Sequence, residues 1–252
     1  MLLDIEKLSV SFGGLMAVSE LDVAVNMGDI LALVGPNGAG KTTTFNCVSG
    51  LVRARSGSIR LDGVELLGQR PDKIAALGIG RTFQGLMLFK ELTTLENLLI
   101  GTHLRLGTNL VSEALALPGT GRKEKKAMTL ADEIMDLLEL KAFRNAKVSQ
   151  LPYGIQKKVD LGRALVLRPR ILLLDEPVAG MSDDERTEIG QCLTRAHETM
   201  GLAILVVEHN IRWTKEFAKK AIVLNFGVKI AEGLMDEVLQ DPNVIEAYLG
   251  RD

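Results

Sequence analysis

The stretch Gly35-Pro36-Asn37-Gly38-Ala39-Gly40-Lys41-Thr42 fits the pattern G-x-x-x-x-G-K-[ST], and it lies between the apolar run ILALV and a segment of helical spacing. No other feature constrains the fold as tightly. Glycines at 35, 38 and 40 let the backbone bend until successive N–H groups point inward. The helix start adds its dipole, so the loop is expected to cradle an anion. Lys41 is expected to reach the β- and γ-phosphates of a nucleotide, and the Thr42 hydroxyl to hold Mg²⁺. Gly35, Asn37, Gly38, Gly40, Lys41, Thr42 and Thr43 are therefore the candidate nucleotide-binding residues of this loop.

Such a loop works with an acid at the end of a second buried strand. Ile171-Leu172-Leu173-Leu174-Asp175-Glu176 supplies it. Asp175 is placed to serve the Mg²⁺, and Glu176, one residue further and pointing differently, to polarise an attacking water. Alone, a strand that leaves the core through an acidic turn is as often structural as functional. Paired with the glycine loop it marks a nucleotide-hydrolysing site.

The rest of the chain reads as strands alternating with helices. The first eighty residues are mostly strands, LLDIEKLSVSF, MAVSELDVAV, ILALV and GSIRLDG, interrupted by one helix from Gly40-Lys41. From Thr93 the period becomes helical, with Thr93 and Glu96 at capping-box spacing, so residues from about 91 to 168 form a mainly helical insertion. Within it, LGTNLVSEALALPGTG is glycine-rich and weakly patterned, a loop or a broken helix. After Pro169 come strand ILLLD, a helix from Ser182, strand LAILVVE, a helix after His209, two short strands and a terminal helix ending near EAYLG. This order implies an α/β fold with a mostly parallel sheet and flanking helices.

Composition then excludes partners. A 46% apolar content rules out disorder, and a formal net charge of −2 gives no whole-molecule attraction to nucleic acid or anionic lipid. Cys47 and Cys192 are far apart and lack metal-ligand spacing, which suits small buried apolar residues in a reducing compartment. The start MLLDIEKLSV carries acids where a secretory signal is basic, and no apolar run approaches the ~18 residues of a membrane span.

With both motifs in place, the chain resembles an ATP-binding cassette ATPase along essentially its whole length. The resemblance implies one cassette domain over residues 1–252: a P-loop nucleotide hydrolase core, an N-terminal antiparallel β subdomain and the inserted α-helical subdomain. It implies ATP and Mg²⁺ as ligands. Gln84, in RTFQ, matches the family glutamine that senses Mg²⁺ and water, and His209, in VVEHN, the histidine that contacts the γ-phosphate. Phe12, in VSFGG, matches the aromatic that stacks on adenine. Singly, each has an ordinary reading as a solvated or packing residue; order and spacing favour function.

In this family a short signature, usually Leu-Ser-Gly-Gly-Gln, begins a helix some twenty residues before the acidic strand, and Leu151-Pro152-Tyr153-Gly154-Ile155 occupies that place. The family's cassettes pair head to tail, each ATP lying between one chain's glycine loop and the other's signature, so Tyr153 and Gly154 become candidate nucleotide-binding residues. Pro152 replaces the serine, Tyr153 the first glycine and Ile155 the glutamine. The lost hydroxyl would have made a charge-assisted hydrogen bond worth about 1.5–3 kcal/mol. Pro152 is tolerated at a helix start, and Gly154 keeps close backbone approach open. A second departure follows the acidic strand, where Ala179-Gly180-Met181-Ser182 stands for Ser-Ala-Leu-Asp; Ser182 and Glu185 again have capping-box spacing. With Lys41 and Glu176 present, an active ATPase is expected.

The signature form LPYG, the turn EPVAGMS and the ending DPNVIEAYLG resemble the ATP-binding subunits of bacterial branched-chain amino acid uptake transporters. That resemblance implies a second ATPase subunit, alike or paralogous, transmembrane permeases, an extracytoplasmic solute-binding protein, and a peripheral place on the cytoplasmic face of the inner membrane. The apolar Met87, Leu88 and Phe89 lie where the family forms a groove for a permease helix, or are buried under the insertion. The run Arg122-Lys123-Glu124-Lys125-Lys126 reads as a solvated helix start or a contact to lipid headgroups. The rival is an ATP-switched clamp on DNA or the ribosome, but the long coiled-coil insertion or second cassette it needs is missing from these residues. A GTPase or small-molecule kinase leaves Gln84, the signature region and His209 without a role.

Overall fold

The computed structural model describes residues 1–106 and 120–249. Two sheets organise them. β1 (Leu3–Phe12), β2 (Leu15–Val25), β4 (Ser56–Leu61) and β5 (Val64–Glu65) form an antiparallel sheet in the order β2-β1-β4-β5. The second sheet runs β10-β9-β3-β8-β7-β6, from β3 (Ile30–Val34), β6 (Ile79–Arg81), β7 (Ile171–Asp175), β8 (Ala203–Val207), β9 (Lys220–Asn225) and β10 (Val228–Leu234). All its pairings are parallel except the β9–β10 hairpin.

Strands β7 and β8 are buried throughout, so their side chains divide by parity between two cores. Ile171, Leu173, Leu205 and Val207 pack with the antiparallel sheet and with Phe45, Cys47 and Val48 of α1 (Lys41–Val48). Leu172, Leu174, Ile204 and Val206 pack with the helices on the other face. Each such side chain contributes ~1.5–3 kcal/mol on burial. Asp175 has the parity of Ile171 and Leu173 and therefore lies on the α1 face of the sheet.

Between β6 and β7 stand α3 (Thr94–Leu106), α4 (Thr120–Leu137) and α5 (Tyr153–Leu165), with 3₁₀ turns at Lys141–Phe143 and Val148–Gln150. Leu98, Ile134, Met135, Val159 and Leu165 from these helices join the second core. α3 starts as its spacing predicts: Thr93 N–H donates to Glu96 Oε2 at 2.7 Å, and Glu96 N–H to Thr93 Oγ1 at 3.2 Å. α6 (Asp183–Met200) has the second reciprocal box, Ser182 with Glu185. The expected loop or broken helix falls on residues 107–119, outside the described residues. The run from Arg122 to Lys126 is exposed on α4.

The sequence pattern implies a single helix among the first eighty residues, and the structure adds another, α2 (Pro71–Ala76). Pro71 at its first position and Asp72 in its first turn start it, a six-residue element too short to show helical periodicity. After β8 come α7 (Ile211–Phe217), α8 (Met235–Val238) and the terminal α9 (Pro242–Leu249). No helix among the described residues is long and apolar enough to cross a membrane.

Candidate nucleotide site

The glycine loop leaves β3 and enters α1 through backbone that other residues adopt poorly. Gly35 has φ 146° and Gly40 φ 100°. A Cβ on Gly35 would stand 2.1 Å from the Leu224 carbonyl oxygen, and one on Gly40 2.4 Å from that of Ala17. Both glycines are fixed by close backbone approach as well as by left-handed conformation. Gly38, φ 79°, has open space where a Cβ would stand, so its left-handed backbone alone calls for glycine. Lys41 is buried and its Nζ donates to the carbonyls of Gly35 at 2.7 Å and Pro36 at 2.9 Å. Burial lowers its pKa, opposed by the charges of Glu176 and Asp175. Thr42 and Asn37 are exposed at the loop rim, and Thr43 is half-buried.

The acidic turn converges on the same place. Gln84 Nε2 donates to Glu176 Oε2 at 3.0 Å, and His209 Nε2 lies 3.1 Å from Glu176 Oε1. Two candidate residues 125 positions apart in sequence, Gln84 and His209, thus meet on the carboxylate of a third, Glu176. Glu176 has φ 50°, a costly backbone for a side chain of this size, and its N–H donates to Val207 O at 2.9 Å. The left-handed turn is what separates its side chain from that of Asp175.

Sequence reading missed two groups that hold this turn. The first is Arg81, at the end of β6. Its Nη2 donates to Asp175 Oδ2 at 3.2 Å, and its Nη1 to Phe45 O at 3.2 Å and Ser49 Oγ at 3.0 Å. The guanidinium sits over the rings of Phe45 and Phe83, 5.8 and 4.7 Å from their centroids. Burial pushes the Asp175 carboxyl up and the Arg81 guanidinium down, and each partner's charge opposes the shift. The second is Glu208, buried at the end of β8. Its Oε1 accepts from Val178 N–H at 3.1 Å, and its Oε2 from the N–H groups of His209 at 2.8 Å and Asn210 at 3.1 Å. Glu208 therefore ties the turn after Glu176 to the turn carrying His209.

The remaining candidates stand apart. Phe12 ends β1 opposite Leu15 and is half exposed. Tyr153 and Gly154 open α5, where the contacts of the signature run to the turn after the acidic strand: Tyr153 Oη donates to Ala179 O at 3.4 Å. Met87 and Phe89 are exposed, while Leu88 packs against the helical core. Beside the glycine loop an open cleft of about 550 Å³ is lined by Asn37, Phe226, Ile230 and Asn243.

The site also fits a divalent cation. Asp175 Oδ1 is buried with no hydrogen-bond partner, an acceptor left over after Arg81 has taken Oδ2. Among the described residues no three His, Cys, Asp or Glu side chains form a protein-only metal cage. Mg²⁺ needs none, since it is bound through one or two protein oxygens plus substrate phosphates.

Residues 18–179 match the protein family described as ABC transporter. The chain belongs to the ABC transporter family. Residues 228–252 of the cassette match a second family, described as branched-chain amino acid ATP-binding cassette transporter. The cassette is 37% identical to the high-affinity branched-chain amino acid transport ATP-binding protein BraF of Pseudomonas aeruginosa, over 99% of this chain and 98% of that protein. It is 36% identical to the corresponding LivG of Escherichia coli over the same shares. A solved nucleotide-free ATP-binding cassette from an ABC transporter has a TM-score of 0.84 and 30% identity, with 99% of both chains covered. A cassette solved in an ADP conformation gives the same values. The chain is thus an ATP-hydrolysing cassette subunit, and the clamp on DNA or the ribosome finds no support among these relatives.

Proposed function

We propose that this cassette is one of two ATPase subunits of an uptake transporter for branched-chain amino acids or related small solutes. It works at the cytoplasmic face of the membrane against separate permease subunits fed by an extracytoplasmic binding protein. The observation that carries this reading is the meeting of Gln84 and His209 on Glu176, in a chain similar end to end to BraF and LivG.

ATP lies with its adenine on Phe12 and its phosphates against the amides of Gly35, Asn37, Gly38, Gly40, Lys41, Thr42 and Thr43. The Lys41 ammonium neutralises the β- and γ-phosphates. Thr42 and Asp175, with Gln84, would hold a Mg²⁺, which would supply neutralisation of charge on the phosphate oxygens. Glu176 takes a proton from the attacking water, with Gln84 and His209 fixing its carboxylate. Tyr153 and Gly154 of each cassette face the nucleotide of the other, so the ATPase subunits close around ATP and reopen after hydrolysis. Permeases convert that closure into alternating access.

The test is to purify the transporter by a tag on this chain and measure ATP hydrolysis with candidate binding proteins. A binding protein loaded with a branched-chain amino acid or a related solute is expected to stimulate turnover. Co-purification with ribosomes or DNA and no permease would overturn the reading.

A further inference from the structure

The signature helix α5 begins without a side-chain cap and without an acid in its own first turn. Its first amides have no intrahelical partner, as at any helix start. The acid comes instead from α6. Glu185 Oε2 accepts from Ser182 N–H and Oγ, both at 2.9 Å, while Oε1 turns toward Gly154. A Cβ added to Gly154 would stand 3.0 Å from that oxygen, a tight contact that a shift of the carboxylate by a few tenths of an ångström would relieve. The Ser182 amide and hydroxyl, with a smaller contribution from the Gly154 amide, hold the Glu185 carboxyl below the usual range; it is ionised at neutral pH.

Several neighbouring charges are engaged elsewhere. Lys158 Nζ pairs with Glu188 at 3.0 Å, one turn along the same two helices. Lys157 Nζ lies 5.8 Å from the Tyr153 ring centroid. Asp183 pairs with Arg186 at 2.9 Å. Of the three acids in the first turn of α6, Asp183, Asp184 and Glu185, it is Glu185 that reaches both the Ser182 cap and the signature glycine.

We propose that Glu185 is a positioning residue of the phosphate site that the signature offers to the neighbouring subunit. Its carboxylate holds the Gly154 amide in place, and its negative charge, beside the position of that subunit's γ-phosphate, sets the ATP concentration at which the pair closes. The proposal rests on the head-to-tail pairing argued above. Two unit charges about 4 Å apart and screened as in bulk water still repel by enough to change an equilibrium roughly 5-fold.

Glu185→Gln isolates the charge, because glutamine also serves at the third position of a capping box and keeps an acceptor toward Gly154. In the purified transporter complex, Glu185→Gln is expected to lower KM for ATP about 3- to 10-fold with kcat within about twofold, the gap narrowing at high salt. Glu185→Ala, which also loses the hold on Gly154, is expected to have a KM at least 3-fold above that of Glu185→Gln. A residue that merely caps α6 would give Glu185→Gln the KM of the wild type. That result, a raised KM in Glu185→Gln, or equal KM values for the two variants would overturn the proposal. Thermal melting of each complex separates loss of folding from loss of affinity. A wild-type complex that hydrolyses no ATP would instead overturn the pairing itself and this inference with it.

Discussion

Glu176→Gln is expected to reduce ATP turnover by the assembled transporter by about 10²–10⁴-fold, the range for losing a general base. Glutamine keeps the shape of the side chain and can still contact Gln84 and His209, so the turn that Glu176 makes with Val207 is retained. What is lost is the basic oxygen between them. ATP binding depends on the glycine loop and Lys41, which the substitution leaves alone, so nucleotide affinity stays within a few-fold of the wild type. Phosphate release and equilibrium ATP binding, measured on the same preparation, separate the two effects. Turnover within twofold of the wild type would remove Glu176 from the chemistry.

Arg81→Met is expected to be among the costlier single changes in the cassette core. Its guanidinium and the Asp175 carboxylate are both almost fully buried, with side-chain exposures of 7% and 3%. Their pairing is weak support for stability as it stands, since burial works against both charges. Removing one partner is another matter, because it leaves the other charge buried and alone, at ~3–5 kcal/mol. For a chain of this length that lowers Tm by roughly 6–20 °C. Methionine fills much of the space beside Phe45 and Phe83, so most of the loss is electrostatic. Adding Asp175→Asn should recover much of the Tm, because the stranded charge is gone, without restoring hydrolysis, because the acid that serves Mg²⁺ is gone with it. An Arg81→Met protein that melts with the wild type would show that the pair carries no such load.

How much of this was legible in the sequence depends on the range of each interaction. The glycine loop, both capping boxes and the buried β7 strand are local patterns, and the structure follows them closely. Gln84 and His209 were reached by resemblance alone; nothing local in RTFQ or VVEHN says that both meet Glu176. Arg81 was hidden because GIGR looks like a short, glycine-broken strand with a solvated end. Its burial follows from β6 pairing with β7, ninety residues away, and from the parity that turns Arg81 toward α1. Glu208 was passed over beside the more conspicuous His209, yet it joins two turns thirty residues apart. Glu185 read as a local cap, and its second contact, to Gly154, depends on how α5 and α6 pack.

All of these residues serve one claim, that triphosphate is held between this chain's glycine loop and a neighbouring subunit's signature, and the reverse. The most direct measurement is a structure of the assembled Glu176→Gln transporter with ATP and Mg²⁺. The expected result places an amide at the start of the signature helix, that of Tyr153, Gly154 or Ile155, within hydrogen-bonding distance, about 2.7–3.2 Å, of a γ-phosphate oxygen held on the neighbouring ATPase subunit. That helix start turned to solvent, or more than a side chain's length from every neighbouring nucleotide, would contradict it.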